Sequence, residues 1–315
     1  MKQPIQYITI ILILLICGRC SDDDSPTPTV PSEPGTYQVS MEIDDLIRWY
    51  TLVIPERYDH TEERLLLFFF HGGGGSMSAS YAARDDLRSL CQEDNWILVF
   101  PNGTNEIDNK GSGANWNAVH CCQEALANNV NDVGFVKAMI KTIESGLKID
   151  ADRVYATGFS NGAMFTHRLA AEVPELFAAV APAAGTIGGV PHEGTDTLVI
   201  NPTSAIPILL SHGMADTNVQ YFGGATGKLP STRSDFSHEE SFQFWSANNN
   251  CNLSGIDTLN TKGNNGRIVE RKLSGCDGKV ISLSIENLKH LWPGLDDAGY
   301  DGTARIFEFL KSHSK

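Results

Sequence analysis

The sequence predicts an α/β fold in which a mainly parallel central sheet is covered by helices on both faces. Three observations lead there. Beyond residue 37, short apolar runs rich in β-branched and aromatic residues alternate with longer stretches of helical periodicity, as strands joined by crossover helices do. One of those runs enters a Gly-x-Ser-x-Gly turn that opens an apolar helix. The chain also carries ample core material, with 41% hydrophobic residues and 29 glycines among 315.

In chain order, residues 38–43 and 48–54 read as two strands joined by a turn at Asp44-Asp45, and 65–70 and 97–101 as two short apolar strands. Residues 133–147 place Phe135, Met139, Ile140 and Ile143 at helical spacing and lead through Lys148-Ile149-Asp150 into a strand at 154–157. A helix is predicted at 161–171, strands at 178–181, 207–211 and 280–285, and a closing helix at 303–312.

The N-terminus has another character. Lys2 precedes an apolar run over 5–16, which is short of the roughly 20 residues that a spanning helix needs and has the form of a signal-peptide core. Residues 1–19 are therefore expected to be a signal peptide. Cys20-Ser21-Asp22-Asp23-Asp24 resembles the start of surface-exported lipoproteins of some Gram-negative bacteria, which implies lipidation at Cys20 and the outer-membrane surface. A plain secreted or periplasmic protein is the alternative. Four of the 14 prolines fall in 25–36, so 20–36 reads as an acidic, Pro-rich tether. That leaves 37–315 as one domain.

A formal net charge of -14 argues against a nucleic-acid partner, which would call for a basic face. In an oxidising compartment some cysteines should pair. Cys251 with Cys276 is the first expectation, and Cys91 with Cys121 or Cys122 the second. Beyond Cys20 no Cys-x-x-Cys pair or zinc-spaced cluster occurs, so neither metal nor cofactor is expected.

The segment carrying most chemistry is Val154-Tyr155-Ala156-Thr157-Gly158-Phe159-Ser160-Asn161-Gly162-Ala163-Met164. A serine between glycines at a strand-to-helix turn can project a nucleophile, and the following helix aims its positive end at the position where negative charge develops. Ser160 then needs a base and an orienting acid. His290, just beyond the 280–285 strand, is the candidate base. His167 sits on the helix after the elbow, His192 and His212 precede the acid, His238 opens a polar stretch and His313 is in the tail. Asp216, after the 207–211 strand, is the candidate acid, with Asp196 and Asp235 as rivals that no strand precedes. His71-Gly72-Gly73-Gly74-Gly75 follows the 65–70 strand, so the amides of Gly73 and Asn161 are the expected oxyanion donors.

These residues, with Pro101-Asn102-Gly103, Trp116-Asn117-Ala118, Cys121-Cys122, Asp132-Val133-Gly134-Phe135, Tyr221, Gly223-Gly224 and Trp292-Pro293-Gly294, resemble carbohydrate esterase family 1. That group includes feruloyl and acetylxylan esterases and lies close to the polyhydroxybutyrate depolymerases. The resemblance covers most of 37–312. It implies an α/β-hydrolase fold, with hydrolysis of feruloyl or acetyl esters on plant-wall polysaccharide through an acyl-enzyme and without a cofactor. Met214, Gln220 and Lys289 depart from the group's usual threonine, proline and glycine, which bears on substrate choice. Trp116 and Trp292 are candidates for substrate contact, or else aromatics that pack their own loops. A polyester or general short-chain esterase is the alternative enzyme, and a glycan-binding protein on an inactive scaffold is the alternative outside enzymes.

Overall fold

A computed structural model describes residues 30–315 apart from 193, 227–232, 265 and 296–298. The signal segment, Cys20 and most of the tether lie outside the described residues.

Chain order begins with the hairpin β1 (Gly35–Ile43) and β2 (Leu46–Ile54), whose turn residues Asp44 and Asp45 both have positive φ, 49° and 63°. A two-residue turn of that hand matches the twist of its strands. Next come β3 (Arg64–Phe70), α1 (Met77–Ala83), α2 (Asp85–Asp94), β4 (Ile97–Pro101), α3 (Gln123–Ala127), α4 (Asp132–Gly146), β5 (Ile149–Phe159), α5 (Asn161–Glu172) and β6 (Ala179–Ala183). Two short strands, β7 (Gly188–Val190) and β8 (Leu198–Val199), precede β9 (Ile208–Gly213). The C-terminal part holds β10 (Gly224–Thr226), β11 (Arg233–Asp235), α6 (His238–Asn248), β12 (Asn252–Gly263), β13 (Gly266–Ser274), β14 (Val280–Ile285) and a last helix, α7 (Gly302–Lys311).

The main sheet runs β1-β2-β4-β3-β5-β6-β9-β14-β13-β12. Its centre, from β4 to β14, is parallel, and antiparallel hairpins flank it at both edges. Parallel strands joined by crossovers are covered on both faces, so they are apolar throughout. Strand β3 shows how: Leu66, Phe68 and Phe70 enter one core layer, and Leu67 and Phe69 the other. The first layer is closed by Phe135, Met139 and Ile143 of α4, Phe165 and Leu169 of α5, and Trp245 of α6. The second is closed by Leu87 of α2 and by Ile306, Phe307 and Leu310 of α7. Among the described residues no helix is long and apolar enough to cross a membrane.

Every predicted strand and helix is present, with ends moved by a few residues, except that β5 begins at Ile149 and absorbs the predicted connection. The small sheet β10-β11-β7-β8, α1, α2 and the β12–β13 hairpin were not anticipated. Cysteine pairing needs one correction. Cys251 bridges Cys276 as expected, but Cys121 and Cys122 pair with each other, and Cys91 is buried and free among the described residues. The reason is topological: Cys91 lies on α2 in the second core layer while Cys121 lies in the first, and the sheet stands between them.

Candidate active site

Because the central strands are parallel, the carboxyl ends of β3, β5, β9 and β14 emerge along one edge of the sheet, where such folds place their chemistry. At the end of β5 the chain reverses at Ser160, which has φ 56° and ψ -121°. A non-glycine residue holds such a conformation only where its surroundings over-determine it. Ser160 N–H is tied to Ala183 O of the neighbouring strand at 3.0 Å. The flanking glycines are required by space: a Cβ on Gly158 would lie 2.5 Å from Gly162 O, and one on Gly162 would strike the carbonyl oxygens of Phe70 and His71.

The structure brings Ser160, His290 and Asp216 together. His290 Nε2 is 2.8 Å from Ser160 Oγ, and His290 Nδ1 is 2.7 Å from Asp216 Oδ2. A carboxylate accepts, so Nδ1–H donates to Asp216 and Nε2 is left to accept the serine hydroxyl. The His290 ring stacks obliquely on Phe159, with centroids 4.8 Å apart. Asp216 is buried; its Oδ1 accepts the amides of Asn218 and Val219 at 2.8 and 3.0 Å. Burial works to raise the Asp216 pKa, but the hydrogen bonds from His212 and His290 outweigh it and hold the carboxyl below the ordinary carboxylate range.

The loop after β3 lies against this elbow. A Cβ on Gly73 would sit 3.5 Å from Asn161 Cβ, and one on Gly72 would sit 3.4 Å from Ser160 Cβ. Among the described residues no group accepts from the amides of Gly73 or Asn161, whereas those of Gly74 and Gly75 bond Ala114 O and Gly72 O. Two free amides at the positive end of α5 can receive an oxyanion. The loop is held by buried neighbours. His71 Nδ1–H donates to Gly72 O and its Nε2 accepts Gly103 N–H, at 2.8 and 2.9 Å. Burial pulls the His71 pKa down to about 4, so the ring stays neutral and can accept.

Trp116 and Trp292 are corrected as candidates for substrate contact. Trp116 is fully buried, stacked on Phe165 and edge-on to Phe70, with Nε1–H donating to His71 O at 3.0 Å. Trp292 is 4% exposed, packs edge-on against Phe69 and donates to Thr303 Oγ1 at 2.8 Å. Both rings supply apolar area to the core and give their one donor to an internal acceptor.

Other candidates lie away from Ser160. His167 Nδ1 accepts from Trp245 Nε1, His238 Nε2 meets Ser282 Oγ, and Asp235 pairs with buried His120 at 2.9 Å. Two functions of the site were not read from sequence. The Asn161 carboxamide grips the Trp116 backbone, accepting its N–H at 2.8 Å and donating to its C=O at 3.0 Å. His212 reaches Asp216 from behind; its only signal was the His-x-x-x-Asp spacing at a strand end.

Comparison with known proteins agrees with this geometry. Residues 54–233 match the phospholipase/carboxylesterase family. The chain is similar to NocK, an assigned esterase of Nocardia uniformis subsp. tsuyamanensis, at 31% identity over 52% of this chain and 49% of that protein. It is also similar to feruloyl esterase B of Piromyces equi, at 31% identity over 53% of this chain and 29% of that one. The matched segments thus span half or less of these relatives. The acetyl xylan esterase of Aspergillus awamori shares the fold, with a TM-score of 0.60 and 15% identity over 87% of this chain and 99% of that one. With its strand order, its elbow and the match over residues 54–233, the chain belongs to the phospholipase/carboxylesterase family of α/β-hydrolases.

Proposed function

We propose that the chain hydrolyses carboxylic esters, with Ser160 as nucleophile, His290 as general base and Asp216 as the acid that orients it. The observation that carries this reading is the unbroken path from Asp216 Oδ2 through His290 to Ser160 Oγ, at 2.7 and 2.8 Å. Ser160 Oγ attacks the ester carbonyl as Nε2 takes its proton, and the imidazolium is stabilised by the ionised Asp216. The tetrahedral oxyanion accepts from the amides of Gly73 and Asn161. Collapse expels the alcohol, to which Nε2–H returns the proton, and leaves an acyl-Ser160. Water, deprotonated by His290, then releases the carboxylic acid.

The proposed substrates are feruloyl or acetyl esters of plant-wall polysaccharide. Similarity to a feruloyl esterase and to an acetyl xylan esterase supports them, and the reaction needs no cofactor. We further propose that the domain at 37–315 is exported and held by a lipid on Cys20.

The test is release of ferulate and acetate from arabinoxylan by the domain beginning at Thr36, beside Ser160→Ala. Wild type is expected to release one of the two acids, and the variant to lose several orders of magnitude in rate. Activity confined to small or hydroxybutyrate esters would keep the triad and move the substrate class. Binding of the polysaccharide without cleavage would favour a scaffold over an enzyme.

A further inference from the structure

Behind the carboxylate of Asp216 stands a second imidazole. His212, on β9, is buried, and its Nε2 lies 3.2 Å from Asp216 Oδ2 and 2.9 Å from Val219 O. Both neighbours are acceptors, so Nε2 must carry the proton and is shared between them. Among the described residues Nδ1 has no hydrogen-bond partner, and the ring stands edge-on to the stacked pair of Tyr221 and His238, at 5.7 and 5.5 Å. With the two amides on Oδ1 and the two imidazoles on Oδ2, both carboxylate oxygens are pinned from opposite sides.

We infer that His212 is a positioning residue for the proposed reaction: its Nε2–H fixes the Asp216 carboxylate, and the turn from Asp216 to Val219, so that Oδ2 faces His290 Nδ1. This rests on the triad reading above. A buried carboxylate with one donor fewer can rotate away or take up a proton. Either change leaves His290 without its orienting partner. The wiring also explains the polar surroundings of a residue that only needs to donate once. His238 on α6 and Tyr221 bond Ser282 Oγ and Ser284 Oγ of β14, Arg271 of β13 reaches Ser282 Oγ, and His167 of α5 is tied to Trp245. Among these only His290 and His212 touch Asp216 through their side chains.

His212→Phe keeps a ring edge-on to Tyr221 and His238 but removes the donor, and His212→Gln returns an N–H at similar reach. Three readouts apply to each: hydrolysis of p-nitrophenyl acetate against pH, thermal melting, and the downfield His290 Nδ1–H resonance in water, which reports the Asp216 contact whether or not an ester is turned over. His212→Phe is expected to lose about 10- to 100-fold in kcat with KM unchanged, as removal of an outer-shell partner does. Its pH profile should depart from that of wild type, because the Asp216 carboxylate no longer faces His290 in one fixed arrangement, and the downfield resonance should weaken. His212→Gln should recover most of both. The inference is overturned if His212→Phe keeps the wild-type resonance and pH profile, or if the two variants lose activity equally and only in step with melting temperature. A wild type that turns over no ester, but whose downfield resonance depends on His212, would instead overturn the esterase reading and leave the positioning role intact.

Discussion

Asn161 has two tasks in the proposed reaction. Its backbone amide is the proposed oxyanion donor, while its side chain clasps both backbone groups of Trp116, which in turn holds His71 O. The second task ties the loop at 113–117 to the elbow and braces the glycines beside it. Asn161→Ala leaves the backbone amide in place but strands a buried N–H and a buried C=O, at a cost of about 1–3 kcal/mol each. The expected result is a lower melting temperature and a fall in kcat on p-nitrophenyl acetate of about tenfold, far short of the Ser160→Ala loss. A variant as stable and active as wild type would show that the loop holds itself. The sequence alone suggests the proposed amide role, because position after the nucleophile determines it. It could not expose the clasp, which depends on a contact 45 residues away.

At the scale of elements, one buried ion pair joins four pieces of chain. Arg48 of β2 donates to Asp132 Oδ1 at 2.6 Å and to Asn102 O at 3.2 Å, and its guanidinium lies 4.3 Å from the Phe135 ring. Asp132 Oδ2 accepts Asn117 N–H at 2.8 Å, at the positive end of α4. Both side chains are almost wholly buried. Arg48→Met therefore leaves a carboxylate buried without its partner, with an expected loss of about 3–5 kcal/mol in urea unfolding. Adding Asp132→Asn should restore part of that loss, since the amide oxygen still accepts from Asn117. Equal losses in the single and double variants would mean that the pair acts by packing alone. Such pairs are illegible in sequence, as is β12, where Leu253, Ile256 and Leu259 are exposed at a sheet edge and the apolar pattern carries no buried face. The central strands were legible because burial on both faces leaves unbroken apolar runs, and Ser160, Asp216 and His290 because each follows such a run.

Across the whole molecule, buried titratable groups decide how stability depends on pH. His71 and His167 are buried and neutral, with burial pulling their pKa values down to about 4 and about 3, and His238 is held well below its ordinary value by the same cause. The unfolded chain protonates these rings near pH 6.5. Between that value and about pH 4 the unfolded state therefore binds more protons than the folded one, and stability must fall as pH falls. Each such ring contributes a slope of about 1.4 kcal/mol per pH unit. Asp216 and Asp235 act in the same direction at lower pH: against their own burial, partners led by His212 and His120 depress them, so their contribution holds above the ordinary carboxylate range and is lost below it. The formal charge of -14 works the other way, because acidification relieves repulsion among exposed carboxylates. Those charges are screened over about 8 Å at physiological salt, whereas the buried rings are not. Urea unfolding at pH 7, 6 and 5 in high salt should thus show a steep loss of stability, and His167→Gln should flatten it by about one proton. A flat profile between pH 7 and 5 would mean that the folded protein admits protons to these rings, and that the core around Trp245 opens to water without unfolding.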